Sequence, residues 1–173
     1  MPVMAYLDES LRSRYLVCAA LVDTGDLATV RALALSLRMP GQHRWHFKSE
    51  SDRRRKTILS ALGSSDRVRG LVYTSRDQET RARADCLTAL VPDLLEHGVT
   101  RLTLESREGR DDEDRTVLYE ALRKAGAEMP YRHLRPVVEP ALWWPDALAW
   151  AYGAGGDWRR RIAPTVARIR HLP

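Results

Sequence analysis

The order of apolar and polar positions along the chain predicts an alternation of strands and helices. Two apolar runs, residues 3–8 and 14–22, are separated only by a short polar turn, a pattern typical of a β-hairpin. Further strands are predicted over residues 67–75, 100–105 and 133–138, and a short extended piece over 44–48. The 133–138 strand is expected at a sheet edge because it contains Pro136.

Apolar residues at helical spacing predict helices between these strands. The predicted helices cover residues 24–38, Ser49 or Ser51 to Gly63, Asp77 to His97, and Asp112 or Asp114 to Gly126. Residues 140–171 are predicted to be helical in two parts, with the break at Gly153, Gly155 and Gly156. Strands that alternate with helices predict an α/β fold with a mixed sheet of about five strands, because the chain opens on a hairpin. The 173 residues are expected to form one domain, 1–173.

Composition narrows the class of protein. The net charge of +5 favours a polyanionic partner such as nucleic acid. However, 25 of the 28 basic residues are Arg, a skew that codon usage in a GC-rich genome also produces. Cys18 and Cys86 both lie in apolar or helical patterns and are expected to be reduced thiols, which fits a cytoplasmic protein. We expect no signal peptide, because the N-terminus has no basic segment followed by an apolar run. We expect no membrane association, because no apolar run approaches the roughly 18 residues that span a bilayer.

Three carboxylates lie where a solvated acid is not expected. Asp8 ends the first apolar strand, and Glu105 ends the strand "LTLE". Asp146 lies within the most apolar helix, "ALWWPDALAWAY". Acids at strand ends crowd at one edge of an α/β sheet, and buried acids are usually paired or bound to metal. Three such oxygen ligands suit Mg²⁺ or Mn²⁺. Each acid also has a simpler explanation: a turn cap for Asp8, the start of a loop for Glu105, and a helix cap or an Arg partner for Asp146.

Four segments together resemble the DUF3800 family of uncharacterised proteins. They are "AYLDES" (5–10), "HFKSESDRRRKTILSAL" (46–62), "LTLESR" (102–107) and "LWWPDALAWAYG" (142–153). The resemblance implies a ribonuclease H-like fold, with Asp8, Glu105 and Asp146 as catalytic acids and His46 as the family's histidine. Leu11 stands where the family pattern has Gly. The acid that ribonuclease H carries on the helix before Glu105 has no clear counterpart; Glu50, Glu79 and Asp85 are the candidates.

The remaining candidate residues surround these acids in the sequence. Glu9 is a possible fourth metal ligand, although in a strand it points to the face opposite Asp8. His46 is a candidate for proton transfer or phosphate orientation, and a partly buried structural histidine is the alternative. Lys48 and the run Arg53, Arg54 and Arg55 are candidates for nucleic-acid phosphate contacts, or they form a solvated helix face.

These observations favour a divalent-metal-dependent nuclease or phosphodiesterase that acts on nucleic acid. Two metal ions about 4 Å apart activate a water and stabilise the leaving oxygen in such enzymes. One alternative is a catalytically degenerate ribonuclease H-like module that binds nucleic acid or a protein partner. A small-molecule enzyme or an interaction protein with the same acidic pocket is the third hypothesis.

Overall fold

The computed structural model describes all residues, 1–173, and is built on one mixed six-stranded sheet. The strands are β1 (Val3–Leu11), β2 (Tyr15–Asp23), β3 (Arg69–Ser75), β4 (Val99–Glu105), β5 (Tyr131–Leu134) and β6 (Val166–His171). Their order across the sheet is β5-β4-β1-β2-β3-β6. β2 runs antiparallel to both β1 and β3, whereas the pairs β1–β4, β4–β5 and β3–β6 are parallel. The opening hairpin therefore lies at the centre of the sheet.

Six helices cover the two faces of the sheet. They are α1 (Leu27–Ser36), α2 (Asp52–Ser65), α3 (Glu79–Glu96), α4 (Asp111–Ala125), α5 (Trp143–Ala154) and α6 (Gly156–Ile162). α2 begins where the hydroxyl of Ser51 accepts a hydrogen bond from the N–H of Arg54. α4 ends at Gly126, which adopts a positive φ of 64° that a residue without a Cβ tolerates. No helix is both long enough and apolar enough to cross a lipid bilayer.

The alternation of side chains along β1 divides the core into two layers. Tyr6 packs on the face covered by α1, α2 and α5, where Trp45, Trp143 and Trp144 form edge-to-face contacts. Leu7 packs on the opposite face, against apolar residues of α3 and α4. Successive residues of a strand point to opposite faces, so this division also fixes where the acids that follow Leu7 must point.

The mixed α/β class predicted from the sequence is confirmed, with corrections to individual elements. The sheet has six strands rather than about five. The error lies in residues 140–171, predicted to be helical in two parts, because their last part forms β6. β6 lies at the sheet edge beside β3 and most of its side chains are exposed, so it lacks the apolar run that marks a core strand.

Three further boundaries differ from the prediction. Residues 44–48, predicted to be extended, form a loop that leads into a 3₁₀ turn at Phe47–Ser49. The predicted 133–138 strand lies instead at 131–134, and Pro136 begins a 3₁₀ turn because its ring fixes φ and it has no N–H to donate. β1 does not end at Asp8 but continues to Leu11, which pairs with Tyr15.

Candidate functional site

Strand register brings Asp8 and Glu105 side by side. Leu7 of β1 pairs with Leu104 of the parallel strand β4, so the next residue of each strand is an acid. Leu7 and Leu104 both point to the α3 and α4 face, so Asp8 and Glu105 both point to the α5 face. Asp8 is 8% exposed, and Glu105 is partly buried at the strand end.

Asp146 approaches from the helix that covers this face. It lies in the first turn of α5, and all residues from Trp143 to Tyr152 are buried. Its Oδ2 accepts a hydrogen bond of 2.9 Å from the N–H of Phe47, and Nη2 of Arg44 lies 3.5 Å from the same oxygen. Asp146 forms no helix cap of its own. The 3.5 Å contact with Arg44 is long, so the negative charge of the Asp146 carboxylate is only partly balanced.

The three acids line one pocket, open to solvent, with an empty volume of about 600 Å³. Burial raises the pKa of Asp8 well above its usual range, and contact with Glu105 and the charge of Asp146 raise it further. Burial also raises the pKa of Asp146, opposed by the N–H of Phe47 and by the charges of His46 and Arg44. The pocket thus gathers acids whose ionisation burial and mutual repulsion disfavour.

His46 lies at the rim of the same pocket. Its Nε2 is 3.7 Å from Oδ1 of Asp146, and its side chain is 53% exposed. A histidine so exposed contributes little to packing, which argues against the purely structural role considered from the sequence. The imidazole is within reach of both the acids and any molecule that enters the pocket.

Glu9 points to the opposite face of β1, because the strand continues past it. Its carboxylate accepts hydrogen bonds from the hydroxyl of Tyr15 and, at 2.9 Å, from Nη1 of Arg83 on α3. Glu9 still contributes to the pocket wall. A metal bound by Glu9 would have to compete with a guanidinium that is 4% exposed and already paired.

A second cluster of possible ligands lies behind Arg83. Asp111, Asp114 and His133 each offer one ligand atom, and these three atoms lie within 4.8 Å of one another. The carboxylate oxygens of Asp8, Glu105 and Asp146 do not all come this close together. However, Asp114 already accepts hydrogen bonds from Arg83, Arg107 and His133. Burial alone would raise its pKa, but the bonds from Arg83 and His133 hold the pKa of Asp114 well below its usual range. An ion bound here would have to displace these partners.

The candidate phosphate contacts separate into two groups. Arg54 donates to Glu50 and to the carbonyl oxygen of Leu37. Arg55 donates to the carbonyl oxygens of Phe47 and Lys48 and lies 4.1 Å from the ring centroid of Trp150. These two side chains are therefore occupied in holding α2 and the preceding turn together.

Lys48 and Arg53 are exposed and form no ion pair. Lys48 is the nearer of the two to the acids, in a shallow groove that also contains His46 and Asp146. Arg53 lines none of the pockets around the acids.

None of the acids considered for the helix before Glu105 reaches the pocket. Glu79 pairs with Arg110, Asp85 is exposed, and Glu50 is hydrogen-bonded to Arg54. The side chain that α3 contributes to the pocket is Arg83.

Sequence reasoning missed two arginines of the pocket, Arg83 and Arg107. A signal for Arg83 was its position beside Ala82, on the apolar face of a helix that also carries Cys86 and Leu87. A signal for Arg107 was its place two residues after Glu105.

Comparison with solved structures places this architecture among known folds. The chain is similar to a structure described as the PCNA:RNase HII complex from Archaeoglobus fulgidus, with a TM-score of 0.59 and 13% sequence identity. The match covers 87% of this chain and 72% of that chain. No protein-family model and no curated protein matches the sequence. At 13% identity the likeness concerns the fold alone, and the fold is ribonuclease H-like.

Proposed function

We propose that this protein is a divalent-metal-dependent nuclease or phosphodiesterase that acts on nucleic acid. One observation carries the proposal: Asp8, Glu105 and Asp146 share one pocket, and burial together with the neighbouring acids raises the pKa of Asp8 and of Asp146. The ribonuclease H-like fold supports it, as does the resemblance of four short segments to the DUF3800 family.

The donor set fits Mg²⁺ or Mn²⁺. Carboxylate oxygens are the ligands that these hard cations prefer, and a cation would relieve the repulsion among the three acids. Two ions in one site can be held by different subsets of the three acids, since ligands on different ions of a pair need not touch one another. The chemistry that such a pair supplies is activation of a water and stabilisation of the leaving oxygen.

The protein's own groups have distinct tasks in this proposal. Asp8 and Glu105, fixed side by side by strand register, would hold the cations from the sheet. Asp146, held by the N–H of Phe47, closes the site from the helix side. His46 lies at the open rim, where its imidazole can orient a phosphate or transfer a proton.

Cleavage assays test the proposal. Single-stranded, duplex and hybrid oligonucleotides are incubated with wild-type protein and Mn²⁺, and separately with EDTA. We expect cleavage only with the metal, and Asp8→Asn and Glu105→Gln to lower the rate by more than about 100-fold.

Asp112→Asn is the matched control, because the side chain of Asp112 is 94% exposed and lines none of the pockets around the acids. It removes one carboxylate charge and should retain the wild-type rate. Absence of metal-dependent cleavage on every substrate, or equal loss in Asp112→Asn and Asp8→Asn, would overturn the nuclease proposal.

A non-catalytic nucleic-acid-binding module is the second candidate. The observation that favours it is Arg83, which occupies the pocket from α3, the helix whose acids do not reach it. This candidate predicts nucleic-acid binding that persists in Asp8→Asn, with no cleavage by the wild type.

A further inference from the structure

A cleft beside the tip of the β1–β2 hairpin carries positive charge that the proposed catalytic pocket does not use. Its walls include Ser10, Arg12, Ser13, Arg14, Arg159 and His171, which we call the hairpin cleft. The empty volume is about 500 Å³ and is open to solvent. Three arginines and two serine hydroxyls in one cleft form a surface rich in hydrogen-bond donors.

The arginines of the hairpin cleft have no carboxylate partners. No carboxylate oxygen lies within 4.0 Å of a side-chain nitrogen of Arg12, Arg14 or Arg159. In contrast, Arg160 and Arg161, which follow Arg159 on α6, both pair with Asp157. The charge of the cleft is therefore available to an anion from outside.

Aromatic rings fix two of these arginines in place. The guanidinium of Arg12 lies 4.6 Å from the ring centroid of Trp150, and that of Arg159 lies 4.1 Å from the ring centroid of Tyr152. Arg159 also donates two hydrogen bonds to the carbonyl oxygen of Tyr152, at 3.0 and 2.8 Å. Contact with a ring face restrains the guanidinium while further N–H groups stay free, so less conformational entropy is lost when an anion binds.

A groove connects the hairpin cleft to the acids. The groove contains Ser10 and Arg12 of the cleft as well as His46 and Asp146 of the pocket. Lys48 lies along it. The basic side chains thus follow one path that ends at the carboxylates.

We propose that the hairpin cleft binds the phosphate backbone of a single-stranded nucleic acid, on the segment adjacent to the phosphate that enters the acidic pocket. This inference rests on the proposed function. Guanidinium groups bind phosphate oxygens through paired N–H donors, and serine hydroxyls add neutral contacts. A path with repeated positive charges fits a polymer that carries one charge per unit, and an open groove fits a single strand.

Binding in the absence of catalysis tests this inference separately from the proposed function. The background is the full-length Asp8→Asn protein in EDTA, and the probes are short fluorescein-labelled oligothymidylate and oligouridylate. Arg12→Gln/Arg14→Gln should lower the affinity about tenfold at low salt and reduce the slope of log K against log salt by about 1.4, since each single-strand phosphate contact contributes about 0.7. Arg14→Gln alone is the second variant, because Arg14 is exposed and its loss leaves the packing intact.

Arg101→Gln/Arg160→Gln is the matched control. It removes the same charge from the start of β4 and from the helix that carries Arg159, and both side chains are exposed. This pair should change the affinity less than about twofold. Equal weakening by both pairs, or no binding of either probe to the Asp8→Asn protein, would overturn the hairpin-cleft proposal. Failure of the cleavage assay alone would overturn only the catalytic one.

Discussion

At the scale of single residues, Asp8 is the acid whose ionisation the folded structure disfavours most clearly. Burial, contact with Glu105 and the charge of Asp146 raise its pKa, so the folded protein favours protonated Asp8 more than the unfolded chain does. The contribution of Asp8 to stability is therefore fully present below pH 3.8, the ordinary pKa of the group. It is lost as the pH rises through the higher pKa of Asp8 in the folded protein.

Asp8→Asn should therefore stabilise the metal-free protein at neutral pH. We expect a gain of about 1 kcal/mol or more in unfolding free energy at pH 7 in EDTA, shrinking towards pH 4, as measured by urea denaturation. Asp112→Asn, at an exposed position, should change the stability by less than about 0.5 kcal/mol. If Asp8→Asn were less stable than the wild type at pH 7, the claim that burial of ionised Asp8 destabilises the fold would be contradicted.

His46 offers a test of chemistry that is separate from folding. His46→Ala should lower the rate of cleavage by about 100-fold, because the proposed proton transfer or phosphate contact is lost. The melting temperature should stay unchanged, since the side chain is half exposed. His43→Ala is the control: it removes an exposed histidine that lines no pocket around the acids. An unchanged rate in His46→Ala would exclude the proposed role.

At the scale of elements, one arginine joins α3, α4 and β1. Arg83 is 4% exposed, forms an ion pair with Glu9, and binds both carboxylate oxygens of Asp114. Removing Arg83 takes two hydrogen bonds from the buried carboxylate of Asp114, which keeps only Arg107 and His133, and leaves Glu9 with Tyr15 alone. Losing one partner of a buried ion pair costs far more than the pair itself contributes.

Arg83→Met should accordingly destabilise the protein by about 3–5 kcal/mol in urea denaturation. Arg81→Met on the same helix is the control, because Arg81 is 72% exposed and its partner is a surface acid; its effect should stay below about 0.5 kcal/mol. A loss of less than about 1 kcal/mol in Arg83→Met would show that this network does not hold the elements together.

Most elements of the fold were predictable because their apolar patterns are strong. The hairpin and α3 follow from runs that only a buried strand or an amphipathic helix explains. β6 was not predictable in this way, because it is an edge strand with mostly exposed side chains. Backbone pairing with β3 stabilises it, and this pairing leaves no apolar pattern in the sequence.

The candidate site was predictable to the extent that it follows from strand alternation. Asp8 and Glu105 end apolar runs, and the parallel register of β1 and β4 places them together. The parts that local sequence could not supply depend on contacts between distant segments. Arg83 meets Asp114 across 31 positions of the chain, and no local pattern encodes such a pairing.

At the scale of the whole molecule, the positions of the charged residues say more about a binding partner than the net charge does. The net charge is +5, yet most arginines form ion pairs with acids, as Arg168 and Arg170 do with Asp93. Three arginines without an ion pair line the hairpin cleft, and three acids share the pocket of Asp8. A basic path that ends in an acidic pocket is suited to a polyanion whose bound segment meets divalent cations.

A crystal structure of the wild-type protein soaked in Mn²⁺, with the ion located by its anomalous scattering, tests the central claim most directly. The account predicts Mn²⁺ within about 2–2.3 Å of carboxylate oxygens of Asp8, Glu105 and Asp146. Mn²⁺ bound only among Asp111, Asp114 and His133, or no Mn²⁺ at Asp8, would contradict it.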